Sequence, residues 1–204
     1  MCCTNKSVEV IDSSSRYPLQ QGYFNKSMNK IIENETQKSN TVVISVTSKE
    51  RSTFLSKAEK AIEKEDYVEA INLYKEMMLY FPTDEEAFFN LGKLYIHLKL
   101  YKEGLNIFKR ALDEVNKINY IFYLNKGICE FNLRKYEESI ESFNKGLFLE
   151  QNDVDLYLNK GVAFNHLKKY DDAIECFKKG LLLKNNDGSL YNNIGVSYFR
   201  KKKL

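Results

Sequence analysis

Four asparagines, Asn90, Asn125, Asn159 and Asn193, each stand two residues before a glycine: Gly92, Gly127, Gly161 and Gly195. A carboxamide carries a donor pair and an acceptor and stays neutral, so its chemistry is recognition, and it can hold a peptide backbone without reading the side chains. The other reactive side chains do not assemble into a site. His97 and His166 both follow their glycine by five residues, but two repeat steps separate them by about 16 to 20 Å, too far to share one ion at about 2 Å from each nitrogen. Cys2, Cys3, Cys129 and Cys176 form no C-x-x-C and no Cys/His spacing. The pairs Glu137-Glu138 and Asp171-Asp172 fall where helices should begin, as partners of the helix dipole. With no phosphate-binding loop or nucleophile elbow, the expectation is no catalytic residue, no metal, no cofactor and no small-molecule substrate.

The elements that must position the asparagines repeat. Gly127, Gly161 and Gly195 recur at intervals of 34, Gly92 lies 35 before Gly127, and Ala58 lies 34 before Gly92. Nine residues after each of the first four comes Tyr67, Tyr101, Tyr136 or Tyr170, then a small residue (Ala70, Gly104, Ser139, Ala173), then an aromatic (Tyr74, Phe108, Phe143, Phe177). A period of this length means stacked supersecondary units. Around each glycine, residues at minus four, minus one and plus three share a helical face, as in Phe88, Leu91, Gly92 and Tyr95. A second helix buries Ala173, Ile174, Phe177, Gly180 and Leu181. The small residues let two helices approach and the aromatics fill the layer between them. Phe108, Phe143, Phe177 and the four tyrosines are therefore core, while Cys129 and Cys176 are small apolar fillers. Thr83 with Glu86 reads as a capping box, and Asp153 and Asp187 as later caps.

This pattern resembles the tetratricopeptide repeat family over residues 51–204, with repeats at 51–84, 85–119, 120–153 and 154–187 and a partial one at 188–204. Matches include Phe88, Leu91, Gly92 and Tyr95, and Tyr157, Gly161, Phe164, Ala173 and Phe177. Lys126 and Lys160 replace the family leucine, Glu130 its aromatic, and Asn116, Gln151 and Asn185 its proline, which only Pro82 keeps; these departures question local packing. The resemblance implies an all-α, right-handed superhelical solenoid of antiparallel helix-turn-helix hairpins, about four and a half repeats long, whose first helices turn the asparagines toward a concave groove. Lys93, Leu124, Ile128, Phe131, Leu158 and Val162 share that face, as do Phe89, Ile96, Val196 and Phe199. Packed helices lie about 8 to 10 Å apart and extended peptide advances about 3.3 Å per residue, so adjacent asparagines would meet roughly every third residue of a guest. Similar asparagine ladders occur in the repeat superhelix of O-linked N-acetylglucosamine transferase, although asparagine is also common at this position whatever the ligand. The carboxylate clamp of chaperone adaptors in the family is absent: Asn125 could supply its middle asparagine, but Phe89, Lys93, Asp155 and Asn159 occupy the other places.

The resemblance thus implies a non-catalytic scaffold or adaptor that binds an extended peptide or a partner helix. The alternative is a substrate-recognition or regulatory array of a larger enzyme.

Composition agrees with a protein partner. The chain has 31 basic and 28 acidic residues, a net charge of +3, which is no nucleic-acid footprint. No apolar run approaches the roughly 18 residues of a membrane span, and the expected compartment is cytoplasmic. Residues 1–47, rich in Ser, Asn, Lys, Thr and Gln, read as a disordered polar tail. Within it, Thr41-Val-Val-Ile-Ser-Val-Thr47 is a sticky unstructured patch or else a strand or docking segment. Cys2 and Cys3 are lipidation candidates, and a membrane becomes a partner only if they are acylated. At the other end, Tyr191, Ile194, Gly195 and Tyr198 repeat the first-helix core without a second helix, so a longer array is expected; the alternative is that this lone helix caps the stack, with Lys201, Lys202 and Lys203 as its solvated end.

Overall fold

A computed structural model describes residues 40–115 and 119–203, with side chains from residue 49 onward. The chain divides into two compact units, Met1–Ser48 and Lys49–Leu204. Of the first, only the backbone of residues 40–48 is described; residues 1–39, with Cys2 and Cys3, lie outside the described residues.

Nine helices and no strand make up the described residues: α1 (Asn40–Glu63), α2 (Tyr67–Tyr80), α3 (Glu85–His97), α4 (Tyr101–Glu114), α5 (Tyr120–Asn132), α6 (Tyr136–Leu149), α7 (Val154–His166), α8 (Tyr170–Leu183) and α9 (Gly188–Lys201). The β-branched run at 41–47 is helical backbone within α1, not a strand. No glycine or proline interrupts Asn40–Glu63, so nothing local ends its hydrogen-bond ladder.

The hairpins share one turn. Glu65, Lys99, Arg134 and Lys168 all adopt positive φ, between 59° and 62°. After α3 the Lys99 N–H donates to the Ile96 carbonyl (2.9 Å) and the Leu100 N–H to the Tyr95 carbonyl (2.8 Å). This is a Schellman motif, and it recurs after α1, α5 and α7. Aspartates open α3, α7 and α9, where Asp84, Asp153 and Asp187 accept from the backbone N–H groups of Ala87, Leu156 and Leu190, and Asn119 opens α5 by accepting from that of Ile121. Asp153 and Asp187 are the caps expected. At the second repeat the cap is Asp84 rather than Thr83, and Glu86 instead accepts from Arg51 at 2.7 Å.

Two kinds of notch lock the stack. Within hairpins, a Cβ built on Gly92, Gly127 or Gly161 would fall 2.3, 2.4 or 2.4 Å from the ring of Phe108, Phe143 or Phe177. Between hairpins, a Cβ at Gly146 would meet Leu156 at 2.8 Å, and one at Gly180 would meet Leu190 at 3.0 Å. The three phenylalanines are completely buried, each worth about 1.5 to 3 kcal/mol relative to an exposed ring. Glycine spacing therefore sets both the hairpin and the pitch of the array, which is the right-handed solenoid of antiparallel hairpins that the resemblance implies.

Candidate functional site

Helices α3, α5, α7 and α9 each touch the next, forming a row. Phe89, Ile96, Leu124, Ile128, Phe131, Leu158 and Val162 are half-buried, their inner sides packed against the core beneath. Lys93 is exposed, its ammonium 5.2 Å from the centre of the Phe89 ring. Val196 is half-buried and Phe199 is 61% exposed. The row is apolar, interrupted by amides.

Three of the four asparagines follow one local rule. Asn125, Asn159 and Asn193 each donate one amide proton to the carbonyl four residues earlier, that of Ile121, Asp155 or Ser189, at 2.8 Å. This bond fixes the carboxamide plane while leaving its oxygen and second proton uncommitted to that carbonyl. Accessibility differs: Asn90, Asn159 and Asn193 are half-buried, whereas Asn125 keeps 9% of its surface. A guest would reach three amides more readily than the fourth.

The histidine coincidence is one of packing. His97 lies 5.6 Å, ring to ring, from Tyr67, and His166 lies 4.9 Å from Tyr136 and 5.0 Å from Phe131. Each imidazole thus sits on the tyrosine that opens a preceding second helix. Desolvation, with the nearby charges of Arg200 and Arg134, lowers the His166 pKa below its ordinary 6.5. Among the described residues no three potential ligands gather around a metal-sized space. Cys129 and Cys176 are buried, and burial pushes the Cys129 thiol up to about 12. The neutral thiol is a poor nucleophile.

Three polar features escaped the sequence reading. Lys126 Nζ donates to Glu130 Oε1 (2.6 Å) and to Ser142 Oγ (2.7 Å), and Ser142 Oγ donates to Glu130 Oε2 (2.6 Å). At the far end of the row, Ser197 Oγ lies 2.9 Å from Asn165 Oδ1 and 2.7 Å from the Asn193 carbonyl. At the near end, a cleft of about 360 Å³ is lined by Arg51, Glu85, Glu86, Phe89, Asn119 and Ile121, with Phe122 behind. Its charges are already engaged, Arg51 by Asp84 and Glu86, and Glu85 by the Asn119 amide. Each feature includes a contact between residues 12 to 35 positions apart on different helices, beyond the reach of a single-helix periodicity argument.

No helix among the described residues is long and apolar enough to cross a membrane. Residues 61–120, 120–153 and 154–187 each match a tetratricopeptide repeat family. Curated relatives include the Hsp70-Hsp90 organizing protein of Triticum aestivum, 27% identical over 100 residues, and Hsp70-Hsp90 organizing protein 2 of Arabidopsis thaliana, 27% identical over 94. These alignments cover 49% and 46% of the chain but only 17% and 16% of the relatives' length. Among solved structures, MamA superposes with a TM-score of 0.69 at 23% identity, covering 76% of this chain and 83% of that one. YrrB, described as a TPR protein with an unusual peptide-binding site, superposes at 0.62 with 17% identity, covering 85% and 83%. At such identities the likeness is one of fold.

Proposed function

This chain belongs to the tetratricopeptide repeat family, and from that premise we propose that it is a non-catalytic interaction scaffold whose helix row binds an extended peptide with hydrophobic anchors. The observation that carries this reading is the continuity of the row. Half-exposed apolar side chains run from Phe89 on α3 to Val196 on α9, with an asparagine at the same point of all four helices and its carboxamide oriented by a backbone bond in α5, α7 and α9. Apolar pockets would take alternate side chains of the guest, and the amides would hold its backbone. A terminal carboxylate is not the handle, because Phe89 and Asp155 stand where clamp cations would be needed.

Peptide-binding function named for YrrB agrees with this reading. Its test is phage-display selection of unstructured peptides on the purified chain, followed by titration against wild type and an Asn90→Ala/Asn159→Ala variant. Circular dichroism first confirms that both are equally helical. Enrichment of peptides with apolar anchors at regular spacing, bound at least tenfold more weakly by the variant, is the expected result. Selected peptides bound equally by both would remove the amides from the site.

A further inference from the structure

The cleft at the near end of the row has walls that the next repeat does not copy. Glu85 and Glu86 stand at the first two positions of the second repeat, and one repeat later Tyr120 and Ile121 take those places. No covering helix is missing here: α3 already touches α2, α4 and α5, and Phe108 fills its Gly92 notch. The cleft of about 360 Å³ therefore belongs to the interior of the array, with Phe89, Ile121 and Phe122 as its apolar walls and two carboxylates beside them. The Glu86 side chain is 47% exposed, within reach of a ligand.

Engagement does not neutralise these carboxylates. One guanidinium, that of Arg51, serves both Asp84 and Glu86, and Glu85 is held by the neutral amide of Asn119, so three acids face one cation. Lys93, one turn beyond Phe89 with its ammonium 5.2 Å from the centre of that ring, raises the cations only to two. Asn119 binds Glu85 Oε1 and Arg51 binds Glu86 Oε2, while the other oxygen of each glutamate accepts no hydrogen bond among the described residues. The volume falls near the lower end of the roughly 300 to 1,000 Å³ of small-ligand pockets, which is room for one long side chain. An apolar stem ending in a cation suits both halves of such a site. The planar fork of a guanidinium can serve two carboxylates at once, whereas an ammonium is a point charge.

We infer that this cleft is a specificity pocket for an arginine side chain of the guest peptide. The methylenes of that arginine pack against Phe89 and Ile121, and its guanidinium donates to the uncommitted oxygens of Glu85 and Glu86. The inference rests on the reading of the row as a peptide groove, because Phe89 belongs to both. It adds charge and direction to that reading: the guest carries its arginine at the α3 end. An acidic guest residue is refused there by the same carboxylates.

The test follows the Asn119 side-chain amide and the Ile121 methyl signals of the isotope-labelled 204-residue chain by NMR. The probes are blocked pentapeptides, Ala-Leu-Xaa-Leu-Ala, with arginine, norleucine or glutamate at the centre. The arginine peptide should shift both signals saturably at millimolar concentration, and the other two should bind at least tenfold more weakly. A Glu85→Gln/Glu86→Gln chain, equally helical by circular dichroism, should lose the preference for arginine over norleucine. No cleft shift with arginine, equal shifts with norleucine, or an arginine preference kept by the double variant would overturn the inference. So would Asn119 and Ile121 signals that move with protein concentration alone, since the occupant would then be a second copy. The groove is judged separately, by the selected peptides and the Asn90→Ala/Asn159→Ala variant. A still cleft beside intact groove binding removes the pocket alone, and a cleft that shifts with arginine in the absence of groove binding removes the groove alone.

Discussion

The second and third repeats fill the same three core positions in opposite ways. In α3 and α4 they are Leu91, Tyr95 and Ile107, all apolar and at most 8% exposed. In α5 and α6 they are Lys126, Glu130 and Ser142, joined in a closed triangle of hydrogen bonds with Glu130 4% and Ser142 1% exposed. A buried apolar cluster runs unbroken from Ala58 to Cys129, and Phe143 belongs to a separate one. The fourth repeat is intermediate: Lys160 replaces leucine, but its ammonium lies 5.8 Å from the Phe164 ring, with no acid in the Glu130 position. A solenoid tolerates this because each unit touches only its neighbours, so a polar layer need satisfy only itself. A charge pair in that layer breaks about even with an apolar filling, provided that every partner is present.

The largest expected effect comes from removing one corner of the triangle. Glu130→Ala leaves the Lys126 ammonium and the Ser142 hydroxyl without their acceptor and should cost about 3 to 5 kcal/mol, read from urea unfolding of the whole chain. Replacing all three corners with the second repeat's residues (Lys126→Leu, Glu130→Tyr, Ser142→Ile) sharpens the comparison. That variant should be neutral or more stable by about 1 to 4 kcal/mol, and a large loss would mean that the third repeat's backbone no longer accepts the apolar set. A smaller contrast compares two notches. Gly161→Ala forces its methyl into the Phe177 ring and should cost about 1 to 3 kcal/mol. Gly195→Ala meets nothing and should stabilise the chain by up to about 1 kcal/mol, since alanine favours helix.

The smallest effect concerns His166, where α7 meets the third repeat. Its folded pKa lies below the ordinary 6.5, so the unfolded chain binds the proton more readily. Its contribution is therefore unchanged above about pH 6.5, declines as pH falls below that value, and levels off below the lowered folded pKa. A chemical-denaturation series between pH 8 and 5 should show His166→Phe losing less stability than wild type. Parallel curves would detach the imidazole from the packing.

Much of this was legible in the chain because it is written in local spacing. The glycines, the phenylalanines that fill them and the caps Asp153 and Asp187 all follow from helical periodicity. Departures of Lys126 and Glu130 from the repeat pattern were visible too, but their remedy, Ser142, sits on another helix 12 and 16 positions away. Asp84 caps the second repeat where Thr83 was expected, and Arg51, 33 positions away, binds that same carboxylate, again a contact between distant positions. Asn125 looks identical to Asn159 in its local sequence, yet it is the more buried. Burial of a repeat position is set by neighbouring repeats, whose side chains differ.

The most direct measurement is a titration of the uniformly 15N-labelled chain with a selected peptide, following the side-chain amide signals of the asparagines by NMR. Binding along the helix row should shift the carboxamide signals of Asn90, Asn159 and Asn193, with Asn125 moving least. Shifts confined to the opposite side, near the exposed Phe148 and Leu182, with the asparagine amides unmoved, would contradict the groove as the site of recognition.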